Sequence, residues 1–364
     1  MLVALGILFT YATPYVKPAV FWLPAPMALL YPFMVLLNVC FAVFWLLRKP
    51  QLYALLSIIC LLTGWSLLKS SFALPLASQG KSKHLKTHQL KVMTYNVRNF
   101  DLYNWNKNKE SRDQIMATIQ EEHADVVCFQ DFYTQDDSLF NNIELLTCNL
   151  HFEYHHFENT LTLRGKDRWG AAIFSKYPLS NPQAMLFKDA KTNVVTSADI
   201  DVKGQTIRFF SAHLQSNFLA KKDINYVSEL IEGSNDPNKN TTRDHFKSAI
   251  SILQKLKEGY VRRSEQATDF AQIIRQSPYP VIVCGDFNDT PASYTYRTIA
   301  TAIPNLKDAF LDAGWGMGNT YIGLQPLQFR IDYIFVPDSF EVSHFNIIEK
   351  KMSDHYPLSC ELSW

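Results

Sequence analysis

The first 80 residues contain no aspartate, glutamate or histidine, and only four basic side chains: Lys17, Arg48, Lys49 and Lys69. Runs this long and this free of acids belong to lipid far more often than to water-soluble folds. Residues 19–47 are almost continuously apolar and end at Arg48-Lys49-Pro50. A bilayer core takes about 20 apolar residues as helix, and Met27–Leu47 supplies them. Residues 51–68 are a second such run. Residues 1–12 are apolar but short, without the basic start and cleavage site of a signal peptide, and read as an incomplete span. Trp22, Trp45 and Trp65 near the run ends fit interfacial anchoring. The competing reading is a buried helical hairpin. Residues 1–69 are therefore expected to form a membrane anchor of two to three spans. Residues 70–89, rich in Ser, Lys and His, read as a linker, and 90–364 as a water-soluble domain.

Charge supports that division. The chain has 35 Lys and Arg and 34 Asp and Glu. With four basic and no acidic residues in 1–80, residues 81–364 hold 31 and 34, a formal charge of −3. All 10 histidines lie there too. Arg48-Lys49 in a loop favours a cytoplasmic loop, and three spans would then put the soluble domain outside the cytoplasm. Lys69, Lys81, Lys83 and Lys86 argue the other way. The reading leans to the extracytoplasmic side. Cys40, Cys60, Cys128, Cys148, Cys284 and Cys360 contain no CxxC pair, which argues against a structural zinc site.

The soluble part alternates strand and helix signals. Leu90–Val97, Asp125–Gln130, Ala171–Ser175, Val194–Val202, Thr206–Leu214, Val281–Cys284, Ile331–Val336 and Pro357–Leu362 read as strands. Lys109–His123 and residues 242–276 read as helices, the latter with Phe246, Ile250, Leu253 and Leu256 on one face. Strands outnumber helices, which points to two packed sheets with helices outside.

Polar residues collect at the ends of these runs: Thr94-Tyr95-Asn96, Gln130-Asp131, Ser211-Ala212-His213-Leu214, Gly285-Asp286-Phe287-Asn288-Asp289, and Ser353-Asp354-His355 preceded by Arg330-Ile331-Asp332. Strand ends are where a rigid scaffold presents reactive groups. Hard oxygen donors without thiolates suit Mg²⁺ or Mn²⁺ rather than zinc. A histidine beside a carboxylate can stabilise charge or give a proton to a leaving oxygen. Together these are the groups that phosphoester hydrolysis needs. Each has a plainer reading alone: Asn96 as a turn cap, His213 as a core histidine, Asp354-His355 as a surface pair.

In their order, the stretches MTYNV, VVCFQD, WGAAIFSKYP, FFSAHLQS, VIVCGDFNDTP, RIDYIFV and SDHYPL resemble the endonuclease/exonuclease/phosphatase superfamily, which includes pancreatic deoxyribonuclease, abasic-site endonucleases, neutral sphingomyelinases and inositol polyphosphate 5-phosphatases. They span residues 92–358. The resemblance implies a four-layered α/β/β/α sandwich with its site at one end of the sheets. It implies that Asn96 and Asp131 hold the metal with Asp354 nearby, and that Asp286 activates water with Asn288 orienting it or the phosphate. It further implies that His355 faces the phosphate, oriented by Asp332, with His213 as a second phosphate-facing histidine. The family usually has Gln-Glu where this chain has Gln130-Asp131, one methylene shorter.

Trp169 and Arg330 are further candidates for substrate contact, with packing or pairing as the alternative; the same holds for Arg168, Tyr294 and Tyr296. A charge of −3 gives no basic footprint of the kind nucleic-acid binders show, and the Lys221-Lys222 and Arg262-Arg263 pairs are too short for one. Nucleic acid, a small phosphodiester and a lipid head group all remain substrate classes; tethering to a bilayer makes a lipid or small phosphodiester a serious candidate. A catalytically silent, membrane-tethered phosphate- or lipid-binding module is the other function class.

Overall fold

Apolar runs buried on both faces build the centre of the molecule. The computed structural model describes residues 2–48, 51–74, 88–136, 139–188, 192–217, 242–324 and 327–364. Its strands in chain order are β1 (Gln89–Asn96), β2 (Val126–Gln135), β3 (Tyr154–Leu163), β4 (Asp167–Ser175), β5 (Leu179–Leu186), β6 (Val194–Val202) and β7 (Gln205–His213). They continue with β8 (Val281–Asp286), β9 (Leu306–Asp308), β10 (Tyr321–Leu324), β11 (Leu327–Phe329), β12 (Asp332–Pro337), β13 (Glu341–Ile347) and β14 (Leu358–Ser363). One six-stranded sheet runs β13-β14-β1-β2-β4-β3 and a second runs β5-β6-β7-β8-β12-β9, with β10-β11 as a separate hairpin.

The two sheets stack face to face. Val92, Cys128 and Ile173 of the first and Phe209, Ile282 and Ile334 of the second share one buried cluster. The period-2 alternation of a strand sends the next residues outward. Met93, Val127 and Phe129 pack under helix Ser111–Glu122 through Ile115 and Ile119. Phe210, Val283 and Phe335 pack under helix Thr242–Arg275 through Ala267, Phe270 and Ile274. With helix on sheet on sheet on helix, the central strands are buried on both sides, which is why they read as continuous apolar runs. Among the described side chains of the long helix it is the second half that has this role: Ile250 and Leu253, expected on a buried face, are 40% and 48% exposed. The free thiols Cys128, Cys284 and Cys360 are buried in the strands.

The N-terminal residues form four helices: α1 (Leu2–Thr10), α2 (Met27–Leu47), α3 (Leu52–Thr63) and α4 (Trp65–Ser71). Ala28, Tyr31, Val35, Asn38 and Ala42 make a buried stripe along α2 at spacings of three and four. That stripe packs against Ala4 and Ile7 of α1 and Cys60 of α3. Leu36, Val43, Leu46 and many neighbours remain exposed. Of these helices α2 alone is long and apolar enough to cross a membrane, and α3 with α4 counts as a second only as one span bent by 63°. The nine residues of α1 rise about 14 Å, short of a ~30 Å hydrocarbon core. Two to three spans thus become one or two helices of spanning length and composition among the described residues.

The bundle is joined to the sandwich. Thr290 Oγ1 donates to the Ala28 carbonyl at 3.2 Å and Thr13 Oγ1 donates to the Ala292 carbonyl. Ala73 bridges to Gly316. The expected linker 70–89 therefore begins as ordered structure through residue 74 and rejoins a sheet at Gln89; its residues 75–87 lie outside the described residues.

Candidate active site

Register carries the candidate residues to one edge of the stacked sheets. In the second sheet, His213 on β7 pairs with Asp286 on β8, and Asp286 pairs with Asp332 on β12. Three groups far apart in sequence thus stand in one cross-strand row. In the first sheet Asn96 ends β1 opposite Gln130 on β2. The row needs Gly285 behind it: Gly285 has φ +141, and a Cβ there would lie 2.0 Å from the Ala212 carbonyl oxygen on β7. Only glycine allows that approach and that backbone. Immediately after it, Asn288 sits at φ +54, as Asp131 does at φ +46. Asp131 lies within an irregularity of the β2–β4 ladder between Phe129 and Phe132. One residue more on β2 than on β4 is a bulge, which re-aims a side chain and often marks an active site.

Hydrogen bonds tie the two sheets together across this edge. Asn96 Nδ2 donates to Asp286 Oδ2 at 3.0 Å, and Gln130 Nε2 donates to Ser211 Oγ at 2.9 Å. The Asn288 amide nitrogen donates to Asp286 Oδ1 at 2.8 Å. Two histidines flank Asp286: His355 Nε2 at 3.7 Å and His213 Nε2 at 3.8 Å from its Oδ2. His355 Nδ1 is 2.9 Å from Asp332 Oδ2, while His213 Nδ1 is 3.4 Å from Asp131 Oδ1 and has no hydrogen-bond partner. Burial pushes the Asp286 carboxyl up to about 6, against the pull of His355. Burial opposes charge on His355, but Asp332 and then Asp286 outweigh it and push the imidazole up to about 10. A cationic ring beside a carboxylate of raised proton affinity forms an arrangement that can bind an oxyanion and accept a proton.

Asn96, Asp131, His213, Asp286, Asn288, Asp354 and His355 all line one cavity of about 670 Å³, within the size range of small-ligand sites. Residues 93–355 match the family model described as Endonuclease/Exonuclease/phosphatase family. The chain belongs to the endonuclease/exonuclease/phosphatase family. Residues 1–71 match a second model, described as a domain of unknown function. A comparison with curated proteins finds no match. Among solved structures, the human nocturnin catalytic domain with bound sulfate anion is similar at a TM-score of 0.52 and 19% identity, covering 77% of this chain and 94% of that one. An endonuclease/exonuclease/phosphatase from Beutenbergia cavernae is similar at 0.50 and 16%, covering 76% and 71%. D. rerio TDP2 complexed with a single-strand DNA product is similar at 0.50 and 15%, covering 75% and 98%. At these identities the likeness establishes the sandwich fold of the family.

Asp332 stands behind His355, 3% exposed, and not in the cavity wall. Trp169 and Arg330, candidates for substrate contact, are not in that wall either. Trp169 packs at 5.0 Å on Tyr133 inside the first sheet's outer core. Arg330 is 4% exposed; it pairs with Asp308 and donates to the Ser70 carbonyl at 2.6 Å. Both are held by packing and pairing, because a bulky ring and a guanidinium fill buried space better than they reach solvent here. Tyr296 is likewise buried, donating to Asp308, and Arg263 is buried against Asp289. Lys221 and Lys222 lie outside the described residues.

Arg98, Trp105 and Tyr321 are among the cavity residues that carry no candidate role in the sequence. Arg98 pairs with Asp354 at 3.2 Å and stacks 4.6 Å from the Trp105 ring; Tyr321 packs against His355 with ring centroids 5.0 Å apart. Arg98 was within reach of pattern, directly after the MTYNV stretch; Trp105 and Tyr321 had no sequence signal.

The donor set fits a hard divalent cation: carboxylate and amide oxygens line the cavity and no thiol does. Asp286, Asp332 and His355 form a cluster whose ligand atoms lie within 4.8 Å of one another. In that cluster Asp332 is engaged by His355 Nδ1; the further cavity oxygens are those of Asn96, whose Oδ1 accepts from the Arg98 backbone amide at 3.1 Å, of Asp354, paired with Arg98 at 3.2 Å, and of Asp131.

Proposed function

We propose that this chain is a metal-dependent phosphoester hydrolase that uses Mg²⁺ or Mn²⁺. The observation that carries the reading is convergence: seven polar groups from five separate segments of the chain line one cavity. Family membership supports it, since the family's name covers nucleases and phosphatases.

Asn96, Asp131 and Asp354 would hold the cation, which when bound supplies charge to offset the phosphate. The family's usual glutamate is longer than Asp131 by one methylene; the bulge and left-handed backbone at Asp131 aim the shorter carboxylate at the cavity. Asp286, with a raised proton affinity, takes the proton of the attacking water. Asn288 and Asn96 hold that carboxylate in place by hydrogen bonding to it. His355 presents Nε2 to a phosphate oxygen while Asp332 secures Nδ1, fixing tautomer and ring orientation. His213 offers a second imidazole on the opposite flank. The anchor reading goes with it: α2, and α3 with α4, seat the chain in a bilayer, and the sandwich from residue 89 onward carries the chemistry.

The test is cleavage of bis-p-nitrophenyl phosphate by the full chain with Mg²⁺, with Mn²⁺ and with chelator, beside Asp286→Ala and His355→Ala. Turnover that needs the cation and is lost in both variants is the expected result. Cation-independent turnover, or variants as active as the parent, would overturn the assignment. Phosphate binding without turnover would instead support the silent binding module.

A further inference from the structure

The helical bundle and the sandwich enclose a second cavity of about 360 Å³. Its walls are Phe33, Leu36 and Val39 of α2 on one side and Pro291, Met317 and Phe329 of the sandwich on the other. Its lining is mostly apolar; Ser71, Thr290, Asn319 and Gln328 add polar atoms, and Arg330 reaches it with one Nη paired to Asp308 and the other donating to the Ser70 carbonyl. Phe329 is a wall of both cavities, and Leu29 of α2 lines the catalytic one. The apolar groove and the polar cleft therefore adjoin at Phe329. On its other side it meets the exposed face of α2, where Leu36 is 60% and Phe33 42% exposed. Soluble surfaces seldom leave an apolar recess of this kind open beside a charged site.

We propose that this groove takes the hydrocarbon chain of a membrane-resident phosphoester whose head group sits in the catalytic cleft. The proposal rests on the hydrolase reading for the position of the phosphate. A polar cleft lined by carboxylates and imidazoles, adjoining a mostly apolar groove beside the exposed apolar face of α2, matches an amphiphile at both ends. A nucleic-acid strand matches only the first. The joined edges explain why α2 is bound to the loop that follows Asp286, through Thr290 and the Ala28 carbonyl: the helix is one wall of the substrate site. The apolar rim continues with Leu256 and Leu324 at the cleft itself.

Two measurements test it on the full chain in phosphatidylcholine nanodiscs. The first is photo-crosslinking with a dodecyl phosphonate carrying a terminal diazirine, mapped by mass spectrometry. Adducts are expected on residues 33–39 and 317–329. They should fall about tenfold with excess inorganic phosphate, and again in Leu36→Trp or Met317→Trp, which fill the groove from opposite walls with side chains exposed enough to be tolerated. Adducts confined to the outer face of α3, or insensitive to both phosphate and the variants, overturn the proposal. The second is kcat/KM for alkyl p-nitrophenyl phosphates from methyl to octyl, below their micelle concentrations. Each methylene entering the groove should raise it by about fourfold, the value of a buried CH₂, and the two variants should flatten the series. A series equally steep in parent and variants overturns the groove. Crosslinking as expected with no cleavage of any ester would keep the groove and reject the hydrolase.

Discussion

The two flanks of Asp286 differ in how tightly they are built. On one side His355 is buried, held through Nδ1 by Asp332 at 2.9 Å and packed by Tyr321. On the other, His213 faces Asp131 at 3.4 Å with Nδ1 lacking a hydrogen-bond partner, and the Asp131 side chain is 25% exposed. Both histidines lie at nearly the same distance from the central carboxylate, 3.7 and 3.8 Å. The difference teaches that distance alone does not define a site. One flank is organised before any ligand arrives, while the other has donors and acceptors still uncommitted. Uncommitted oxygens are what a cation or a phosphate requires, and a preset imidazole is what charge stabilisation requires.

That asymmetry can be broken by substitution. The largest effects are expected on the preset flank and at the centre: Asp286→Ala and His355→Ala should each lower kcat/KM for bis-p-nitrophenyl phosphate by about 10³–10⁴. Next, Asp332→Asn should cost about 10²-fold, mainly in kcat, because it removes the partner that orients His355 without touching substrate. His213→Gln should cost only about tenfold, and mostly in KM, if its flank is loose until ligand binds; a loss as large as that of His355→Gln, at saturating substrate, would erase the contrast. Asp131→Glu sharpens it further. The longer side chain should lower the Mg²⁺ concentration for half-maximal activity by no more than about tenfold and leave kcat near the parent value. An unchanged Mg²⁺ titration would remove Asp131 from the cation site.

A control lies elsewhere on the second sheet, where Arg208 grips Asp199 with two hydrogen bonds of 2.6 and 2.8 Å. Burial raises the Asp199 carboxyl, but Arg208 and Asn181 outweigh it and hold it below the ordinary carboxylate value. A lowered folded-state value contributes stability above the unfolded one, near 4, and that contribution is lost as pH falls through the folded value. The melting temperature of the parent should therefore fall more steeply below about pH 4 than that of Asp199→Asn, measured by calorimetry, with kcat/KM at neutral pH untouched. Equal slopes would show that the pair does not couple to folding.

The central strands were legible because they are buried on both faces. The runs around Val92, Val127, Phe209 and Val283 have no polar face to dilute them. β3, β5 and β13 were missed for the opposite reason: each is the edge of a sheet, and β3 and β5 expose residues along most of their length. Pro182 lies inside β5, where only an edge strand tolerates a missing donor. The long helix was read correctly in extent, but its buried face lies at Ala267–Ile274 rather than at Ile250 and Leu253. Helical periodicity identifies an apolar stripe without saying what covers it. Among the site candidates, Asn96, His213, Asp286 and His355 were visible as polar breaks at the ends of buried runs. Trp169 and Arg330 carried the same residue types as substrate contacts do, and only packing distinguished them.

By itself, the sequence determined the division into an acid-free apolar segment and a mixed-charge domain, the central strands, and the polar groups at their ends. These are local properties: hydropathy, period and punctuation are written in neighbouring residues. The tertiary structure alone decided that His213, Asp286 and Asp332 share one row, that Asp131 is turned by a bulge, that Arg330 is a buried pair, and that α2 forms one wall of an apolar groove beside the cleft. Those facts depend on register between strands and on contacts across hundreds of residues, and no local pattern encodes which partner a strand or a helix face will meet.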